Sequence, residues 1–373
     1  MSKGLILLAA GGTGGHLFPA EALGHELRDR GFSVHLVTDR RAEKLAGTFP
    51  ADEIHVVPSA TFGSKNPVAV LRVLLTLWKG MRSARRVIQR VKPRVVVGFG
   101  GYPTIPPLLA STGLGVPSMI HEQNAVMGRA NKALASRVQA IAGGFLPVAG
   151  PHAAQIVETG NPVRSSVLVA AEKPYDTPLP GGPLRLVVFG GSQGARFFSE
   201  MVPSAIALLD PALRSRLVLT QQARPEDEAA LKAEYARLGA TAEIAPFFSD
   251  LPVRVADAHL VLSRSGASTV LELAVVGRPS ILVPLPHSLD DDQGHNAQIL
   301  VEAGAALMRR QPTITPESLA ADLTELLSDP GRLADMAAAA KGRARTNATQ
   351  LLGDMVEAMA NGKTIAEFKG VKA

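Results

Sequence analysis

Residues 5 to 16 read Leu5-Ile-Leu-Leu-Ala-Ala-Gly-Gly-Thr-Gly-Gly-His16, an unbroken apolar run that ends in a glycine-rich loop and a histidine. A buried strand followed by such a loop and a helix is typical of the first unit of a doubly wound α/β sheet. A second copy of the pattern occurs later, where Leu184-Arg-Leu-Val-Val-Phe189 leads into Gly190-Gly-Ser-Gln-Gly-Ala195. The sequence therefore predicts two α/β halves built on one plan.

Short apolar runs bounded by Gly or Pro alternate with helix-period segments in both halves, as in parallel βα units. The strands predicted in the first half are Leu5–Ala10, Ser33–Thr38, Glu53–Val57, Val95–Gly98, Ser118–His121 and Ala140–Ala142. Those predicted in the second half are Leu184–Phe189, Arg216–Thr220, Ala242–Ala245, Leu260–Ser263, Ser280–Pro284 and Ala306–Met308. A chain of 373 residues is long enough for two domains. We predict two Rossmann-like doubly wound parallel-sheet domains, one over residues 1–162 with a returning C-terminal helix at 343–373, the other over 163–342.

The composition excludes several classes of site. The chain has no cysteine, which excludes disulfides, zinc-thiolate sites, iron–sulfur clusters and cysteine nucleophiles. No run of 18 apolar residues occurs, so no transmembrane helix is expected, and the run Leu5–Ala10 is too short for the core of a signal peptide. We expect a protein that is made and kept in the cytoplasm.

Positive charge is concentrated in the first half. The chain carries 39 basic and 33 acidic side chains, and residues 1–162 alone hold 18 basic and 9 acidic ones. No Asp or Glu occurs between Ile54 and His121, a span that includes nine Lys or Arg residues. This half is therefore predicted to attract an anionic surface, either a membrane leaflet or a nucleic acid.

One basic segment, residues 68–86, also has helical periodicity. At 100° per residue the apolar side chains Leu71, Leu74, Leu75 and Trp78 share one side, and a basic stripe of Arg72, Lys79, Arg82 and Arg86 lies beside them. The segment is either an ordinary core helix with a solvated basic face or a helix that contacts an anionic membrane surface. Aromatic residues make up 4% of the chain and are not interleaved with the basic ones, which makes nucleic acid the weaker interpretation.

Both glycine-rich loops are predicted anion sites, because backbone amides at a helix N-terminus can approach a phosphate there. The first loop has Leu17 where a dinucleotide-binding motif needs its third glycine, which argues against nicotinamide or flavin. His16 stands where this loop enters the helix. It is either a structural histidine or a general base, since imidazole titrates near neutral pH.

Further polar clusters follow other predicted strands. Ser263-Arg-Ser-Gly-Ala precedes a helix expected to start near Ala267 or Ser268, with Arg264 beside its N-terminus. Glu272 in that helix could accept hydrogen bonds from a ribose diol or simply complement the helix dipole. Asp290, Asp291 and Asp292 are consecutive and cannot all face one ion, so a solvated loop is predicted in preference to a metal site.

Seven blocks, in this order, resemble the MurG family, the peptidoglycan N-acetylglucosaminyltransferases of the GT-B, family 28 type. They are Gly11–His16, Gly100–Tyr102, His121–Asn124, Gly160–Arg164, Gly190–Ala195, Ser263–Glu272 and Gln293–Asn296. The resemblance implies two Rossmann-like domains facing each other across a cleft. It also implies a metal-independent, cofactor-free, inverting transfer of GlcNAc from UDP-GlcNAc to the MurNAc 4-hydroxyl of undecaprenyl-pyrophosphate-linked lipid I, giving lipid II. The expected location is peripheral, on the cytoplasmic side of the plasma membrane.

The resemblance also implies roles for individual residues. His16 is the favoured base, with Glu122 as a second catalytic residue. The implied donor-binding residues are Thr13, Gly14, Gly15, Asn124, Arg164, Ser192, Arg264, Glu272 and Gln293. The implied acceptor pyrophosphate residues are Gly11, Gly12 and Tyr102, and the implied membrane-contact residues are Leu71, Leu75, Trp78, Arg72, Lys79 and Arg82. Asp292 departs from the family pattern, in which some relatives have Gln and others His.

Other interpretations stay open at this point. Tyr102, His121 and Glu122 are alternative proton acceptors, since they are expected near His16. The chain could also be a GT-B transferase with a different lipid or soluble acceptor, or a two-lobed sugar-nucleotide sensor without catalytic activity.

Overall fold

A computed structural model describes residues 2–11, 14–40, 49–60, 66–191 and 194–372. The chain divides into two compact units, Met1–Arg164 with Arg345–Ala373 (unit 1) and Ser165–Ala344 (unit 2). The predicted residues Gly12, Thr13 and Ser192 lie outside the described ranges.

Unit 1 contains a parallel sheet. Its strands are β1 (Leu5–Ala9), β2 (Ser33–Thr38), β3 (Glu53–Val56), β4 (Val95–Gly98), β5 (Ser118–Glu122), β6 (Ala140–Gly143) and β7 (Ile156–Glu158). They are arranged in the order β3-β2-β1-β4-β5-β6-β7, with every described pairing parallel. β7 was not predicted from the sequence, because it is three residues long and buries only Ile156.

Helices cover both faces of this sheet, which explains the unbroken apolar run in β1. The helices are α1 (Gly14–Asp29), α2 (Pro67–Val91), α3 (Ile105–Gly113) and α4 (Arg129–Leu134). Ile6 and Leu8 of β1 belong to one buried cluster, and Leu7 and Ala9 belong to another. Since successive side chains of a strand point to opposite faces, a strand buried on both faces needs apolar residues at every position.

Unit 2 repeats this plan. Its strands are β8 (Leu184–Phe189), β9 (Leu217–Gln222), β10 (Thr241–Ala245), β11 (Leu260–Ser263), β12 (Ser280–Leu282) and β13 (Ala306–Met308), in the order β10-β9-β8-β11-β12-β13. Its helices are α5 (Ser165–Ala170), α6 (Arg196–Ala207), α7 (Pro211–Arg214), α8 (Pro225–Arg237), α9 (Leu251–Asp257), α10 (Ala267–Val276), α11 (Asp292–Glu302), α12 (Pro316–Leu327) and α13 (Pro330–Gly342). The prediction of two doubly wound parallel sheets is confirmed.

The end of the chain returns to unit 1 as two helices, α14 (Ala348–Ala360) and α15 (Ile365–Lys372). Leu352 of α14 is buried in the cluster that contains Ile6 and Leu8. A single helix over residues 343–373 was expected. The chain instead breaks after α14 at Gly362, whose φ of 80° lies in the left-handed region that glycine adopts without strain.

Strand order reverses beside the first strand of each sheet. β1 lies between β2 and β4, and β8 lies between β9 and β11. In open α/β sheets, ligands bind at the carboxyl ends of the strands where this reversal occurs. The two glycine-rich loops follow β1 and β8, so the fold places both of them at such a position.

Candidate functional site

In unit 1, His16 lies in the first turn of α1, directly after the glycine-rich loop. Its imidazole packs against the loop that follows β4, where a Cβ atom built on Gly100 would lie 3.2 Å from His16 Cδ2. Gly101, in the same loop, has a φ of 75°, and a Cβ there would lie 3.2 Å from the Gly11 carbonyl oxygen. Glycine at these two positions therefore lets the two loops approach each other around the imidazole.

Burial lowers the pKa of His16 below its ordinary value, and this effect outweighs the opposing ones. The charge of Glu122 and a hydrogen bond with the Gly11 backbone both act to raise that pKa. The balance favours a neutral imidazole at neutral pH, which is the form that accepts a proton.

Glu122 ends β5 and is buried, and both of its carboxylate oxygens accept hydrogen bonds. Oε1 accepts from the backbone and side-chain nitrogens of Asn124, both at 3.0 Å. Oε2 accepts from the Gly128 backbone at 2.9 Å and from Asn131 Nδ2 at 2.8 Å. These contacts tie the loop after β5 to the start of α4, so the carboxylate anchors that loop.

His121 is fully buried, and its ring nitrogens both have partners. Nε2 donates to the Gly160 carbonyl at 3.2 Å, and Nδ1 accepts from Gln123 Nε2 at 3.0 Å. Burial lowers the pKa of His121 to about 4, against a smaller opposing effect of the Gly160 carbonyl. Because neither nitrogen is available in this arrangement, His121 is less suited than His16 to accept a proton from a substrate.

Other predicted residues of unit 1 lie at the same edge of the sheet. Gly14 and Gly15 open α1, and Tyr102 follows Gly101 with its side chain partly exposed. Gly11 is buried against Pro103 and Thr38. Arg164 is exposed, with its guanidinium carbon 5.4 Å from the centre of the Phe18 ring of α1.

In unit 2, a cavity of about 250 Å³ opens where β8 ends. Glycines of the second loop line it, and so do three arginines and two glutamines. The lining residues are Gly190, Gly194, Ala195, Arg196, Phe197, Arg224, Arg264, Leu285, Pro286, Gln293 and Gln311. Three guanidinium groups beside a glycine loop and the N-terminus of α6 form a site for an anion.

Arg264 is the buried cation of this cavity, with 7% of the residue exposed. It donates to the carbonyls of Val283 at 3.1 Å and Pro284 at 3.2 Å, and to Gln311 Oε1 at 2.6 Å. These acceptors are uncharged, and its buried Nε has no hydrogen-bond partner among the described residues. Burial lowers the pKa of Arg264, although arginine stays protonated. The site thus holds a buried positive charge that an anionic ligand would neutralise.

Gln293 borders the same cavity from the first turn of α11. Its Oε1 accepts from the Leu285 backbone at 2.9 Å, and its carbonyl accepts from Ser265 Oγ at 2.8 Å. Asp292 Oδ1 accepts from the Gln293 backbone at 2.8 Å, and Asp291 pairs with Arg310. The carboxylates of Asp291 and Asp292 thus serve different partners. The loop predicted for these residues is a single turn at 289–291 that leads directly into α11, whose first residue is Asp292.

Glu272 does not line this cavity. It lies half-buried in α10 and borders a separate, smaller pocket together with Val167, Phe189 and Thr269. Phe189 lines the smaller pocket and the next residue, Gly190, lines the larger one, so both open at the carboxyl end of β8. α10 begins at Ala267, as predicted from the sequence.

The first half of α2 is not a core helix. Leu71, Leu75 and Trp78 are 57%, 49% and 48% exposed, and the buried residues of α2 are Gly80, Ala84 and Ile88 near its other end. The Arg82 guanidinium lies 4.8 Å from the centre of the Trp78 ring. The core-helix interpretation is therefore wrong for residues 68–78, which form an exposed apolar patch with a basic rim. None of the helices within the described ranges is both long enough and apolar enough to cross a bilayer.

Several residues at the unit 2 site were not predicted from the sequence. Arg224 stands at the N-terminal cap position of α8, and it lines the larger cavity together with Arg196 and Gln311. A polar or aromatic residue directly after a parallel strand was the available signal. The prediction used this signal after β5 and β11 but not after β9, which Arg224 follows.

Comparison with known proteins gives two family matches along the chain. Residues 6–143 match the glycosyltransferase family 28 N-terminal domain, and residues 185–352 match the glycosyltransferase family 28 C-terminal domain. The two matches fall on unit 1 and mainly on unit 2, respectively.

Individual relatives match over the whole length. Proteins of Rhizobium etli and Rhizobium johnstonii are 62% and 63% identical over 374 residues, covering 100% of both chains in each case. Both are named UDP-N-acetylglucosamine--N-acetylmuramyl-(pentapeptide) pyrophosphoryl-undecaprenol N-acetylglucosamine transferase. The crystal structure of Acinetobacter baumannii MurG is 30% identical, with a TM-score of 0.78 over 95% of this chain and 98% of that one. The fold is therefore GT-B, and the chain belongs to glycosyltransferase family 28 and, within it, to the MurG family.

Proposed function

We propose that this protein transfers GlcNAc from UDP-GlcNAc to the 4-hydroxyl of the MurNAc-pentapeptide of lipid I, giving lipid II for peptidoglycan synthesis. Unit 2 holds the donor and unit 1 holds the acceptor. The transfer of labelled GlcNAc to a lipid I analogue tests this proposal as a whole.

The observation that carries the proposal is the buried guanidinium of Arg264 in the unit 2 cavity. A buried cation among neutral acceptors costs free energy, which an anionic ligand recovers. A nucleotide diphosphate carries the required charge, and in this cavity it would lie beside the N-terminus of α6, which begins at Arg196. Arg196 and Arg224 also line the cavity, where Arg196 pairs with Glu200 at 2.7 Å and Arg224 lies 3.9 Å from Glu226.

These arginines also supply positive charge that stabilises UDP as it departs. When the bond between the anomeric carbon and the diphosphate oxygen breaks, the bonding electrons stay with UDP. Fixed cations and helix N-termini stabilise that charge without having to reorganise during the reaction. On this basis the chain itself neutralises the leaving group, and no metal ion is needed for that task.

His16 is the general base of the proposed reaction. Its neutral imidazole takes the proton from the MurNAc 4-hydroxyl while that oxygen attacks the anomeric carbon on the face opposite UDP. The new bond therefore has the inverted, β configuration. Glu122 is a positioning residue in this scheme: it anchors the loop that carries Asn124, and its charge acts on the His16 imidazole.

The exposed patch of α2 is the proposed membrane contact. Apolar side chains lie beside basic ones, as in helices that insert one face into a lipid interface whose headgroups are anionic. Because lipid I is anchored in the cytoplasmic leaflet, a peripheral position on that face brings unit 1 to its acceptor. Nucleic acid is not a proposed partner.

The assignment of Glu272 to the donor ribose gives a direct binding prediction. We expect Glu272→Gln to raise the Kd for UDP-GlcNAc by about 10- to 100-fold, because a hydrogen bond to a charged acceptor contributes about 1.5–3 kcal/mol. Isothermal titration calorimetry measures this effect. Glu234→Gln, on the surface of α8, should leave the Kd unchanged. An unaltered Kd in Glu272→Gln would remove Glu272 from the ribose site.

The membrane assignment gives a second prediction. Reversing the charges of Arg72, Lys79 and Arg82 to Glu should weaken binding to phosphatidylglycerol vesicles at least a hundredfold, since each basic residue contributes about 1 kcal/mol at such a surface. Vesicle co-sedimentation measures it. The same reversal at Arg214, Lys232 and Arg237 of unit 2 is the control for net charge. Turnover on a detergent-solubilised acceptor should persist in both triple variants. If the two variants bind phosphatidylglycerol vesicles equally well, α2 is not the membrane contact.

A further inference from the structure

A further cluster of ionisable side chains lies on β2 and the edge strand β3 of the unit 1 sheet, on residues that the proposed transfer does not use. His35 of β2 pairs in register with Glu53 of the edge strand β3, and Val37 pairs with His55. Residues two apart on a strand share a face, and so do residues paired across neighbouring strands. The three side chains therefore project from the same face of the sheet.

Their donor atoms are close enough to share one ion. His35 Nδ1 lies 3.1 Å from His55 Nε2 and 3.9 Å from a Glu53 carboxylate oxygen, and His55 Nδ1 lies 3.3 Å from the other. One ligand atom from each of the three residues can be chosen so that all lie within 4.8 Å of one another. Ligands bound to tetrahedral zinc at about 2.0–2.1 Å lie about 3.3 Å apart, so small side-chain rotations suffice.

We propose that His35, Glu53 and His55 bind a divalent transition-metal ion of the zinc type. Two imidazoles and one carboxylate are a donor set that suits zinc, whereas magnesium and calcium prefer oxygen ligands alone. Three protein ligands leave the remaining coordination position to water. The bound ion would join the edge strand β3 to its neighbour β2 and stabilise this end of the sheet.

Arg90, in the last turn of α2, places a positive charge next to this cluster, where the proposed metal ion would bind. Its Nη2 donates to Glu53 Oε1 at 2.7 Å and lies 3.3 Å from His55 Nδ1. The Arg90 side chain is 62% exposed, so it can turn outward into solvent. The metal ion and the guanidinium thus compete for Glu53, and the proposal predicts that removing this guanidinium tightens metal binding.

The test is a zinc titration of the full chain prepared without a polyhistidine tag, read out by competition with a chromogenic chelator. We expect the wild type to bind one zinc ion, and we expect His35→Gln and Glu53→Gln each to bind zinc with an affinity at least tenfold lower. Arg90→Gln should bind more tightly than the wild type. His25→Gln on α1 and Arg86→Gln on α2 remove exposed groups of the same kinds and should bind like the wild type.

Cobalt provides a second, spectroscopic readout. Co²⁺ in a four-coordinate site gives visible absorption bands that six-coordinate Co²⁺ in water lacks, and they should be present in Arg90→Gln and absent in Arg90→Gln combined with His35→Gln. Equal zinc affinity in the wild type, His35→Gln and Glu53→Gln would overturn the proposal. So would zinc binding to Arg90→Gln that is no tighter than to Arg86→Gln. GlcNAc transfer in the presence of EDTA is independent of these outcomes, because this site plays no part in that reaction.

Discussion

Replacing His16 by alanine is expected to lower kcat for GlcNAc transfer by about 10²- to 10⁴-fold, the usual contribution of a positioned general base. The KM for UDP-GlcNAc should change little, because the imidazole acts on the acceptor hydroxyl. Steady-state kinetics with a water-soluble lipid I analogue separates the two effects. His25→Ala changes an exposed histidine of the same helix and should keep wild-type kinetics.

The pH profile gives an independent measure of the same role. Burial lowers the pKa of His16 from its ordinary value of 6.5, and the base works only when it is neutral. Activity should therefore be lost as the pH falls through that lowered pKa, so the acid limb of kcat/KM lies below pH 6.5. A kcat of His16→Ala within threefold of the wild type, or an unchanged acid limb in that variant, would remove His16 from the mechanism.

Arg264→Met should have the second-largest effect, on both catalysis and donor binding. Loss of one preorganised group that stabilises a developing charge lowers kcat by about 10²- to 10³-fold. The Kd for UDP should rise as well, because the same guanidinium meets the diphosphate before transfer. Arg264→Lys keeps the positive charge but lacks the planar set of N–H donors of a guanidinium, and we expect an intermediate loss of kcat and of UDP affinity.

Stability must be followed in the same variants, since the Arg264 guanidinium also donates to the Val283 and Pro284 carbonyls. Thermal unfolding shows whether Arg264→Met stays folded at the assay temperature. Arg237→Met removes an exposed guanidinium of unit 2 and is the control. If a folded Arg264→Met variant binds UDP and turns over like this control, the diphosphate assignment is wrong.

The positions of the strands in both sheets could be predicted because parallel strands that are buried on both faces are apolar at every position. Leu5–Ala9 and Leu184–Phe189 are such strands, and each is followed by glycines that mark the loop. β7 could not be found in this way, because its three residues include one buried apolar side chain and lie at the sheet edge. A run of three residues is too short to show a periodicity, and β7 is defined as a strand by its pairing with β6.

The sequence predicted which residues of the candidate site lie at the carboxyl ends of the strands. It did not predict which groups those residues contact. His16, Glu122 and Arg264 all lie after or at the end of a strand, as their order in the sequence indicated. Sequence alone could not show that both carboxylate oxygens of Glu122 accept hydrogen bonds from Asn124, Gly128 and Asn131. These partners come from a loop and a helix whose approach depends on packing.

Lipid II synthesis by this protein can be measured directly by incubating the purified protein with labelled UDP-GlcNAc and a short-chain lipid I analogue, with EDTA present throughout. We expect a β-linked GlcNAc–MurNAc product and release of UDP at a rate that EDTA does not reduce. Absence of this product from protein that binds UDP-GlcNAc would contradict the assigned acceptor, and an α linkage would contradict the single inverting attack assigned to His16.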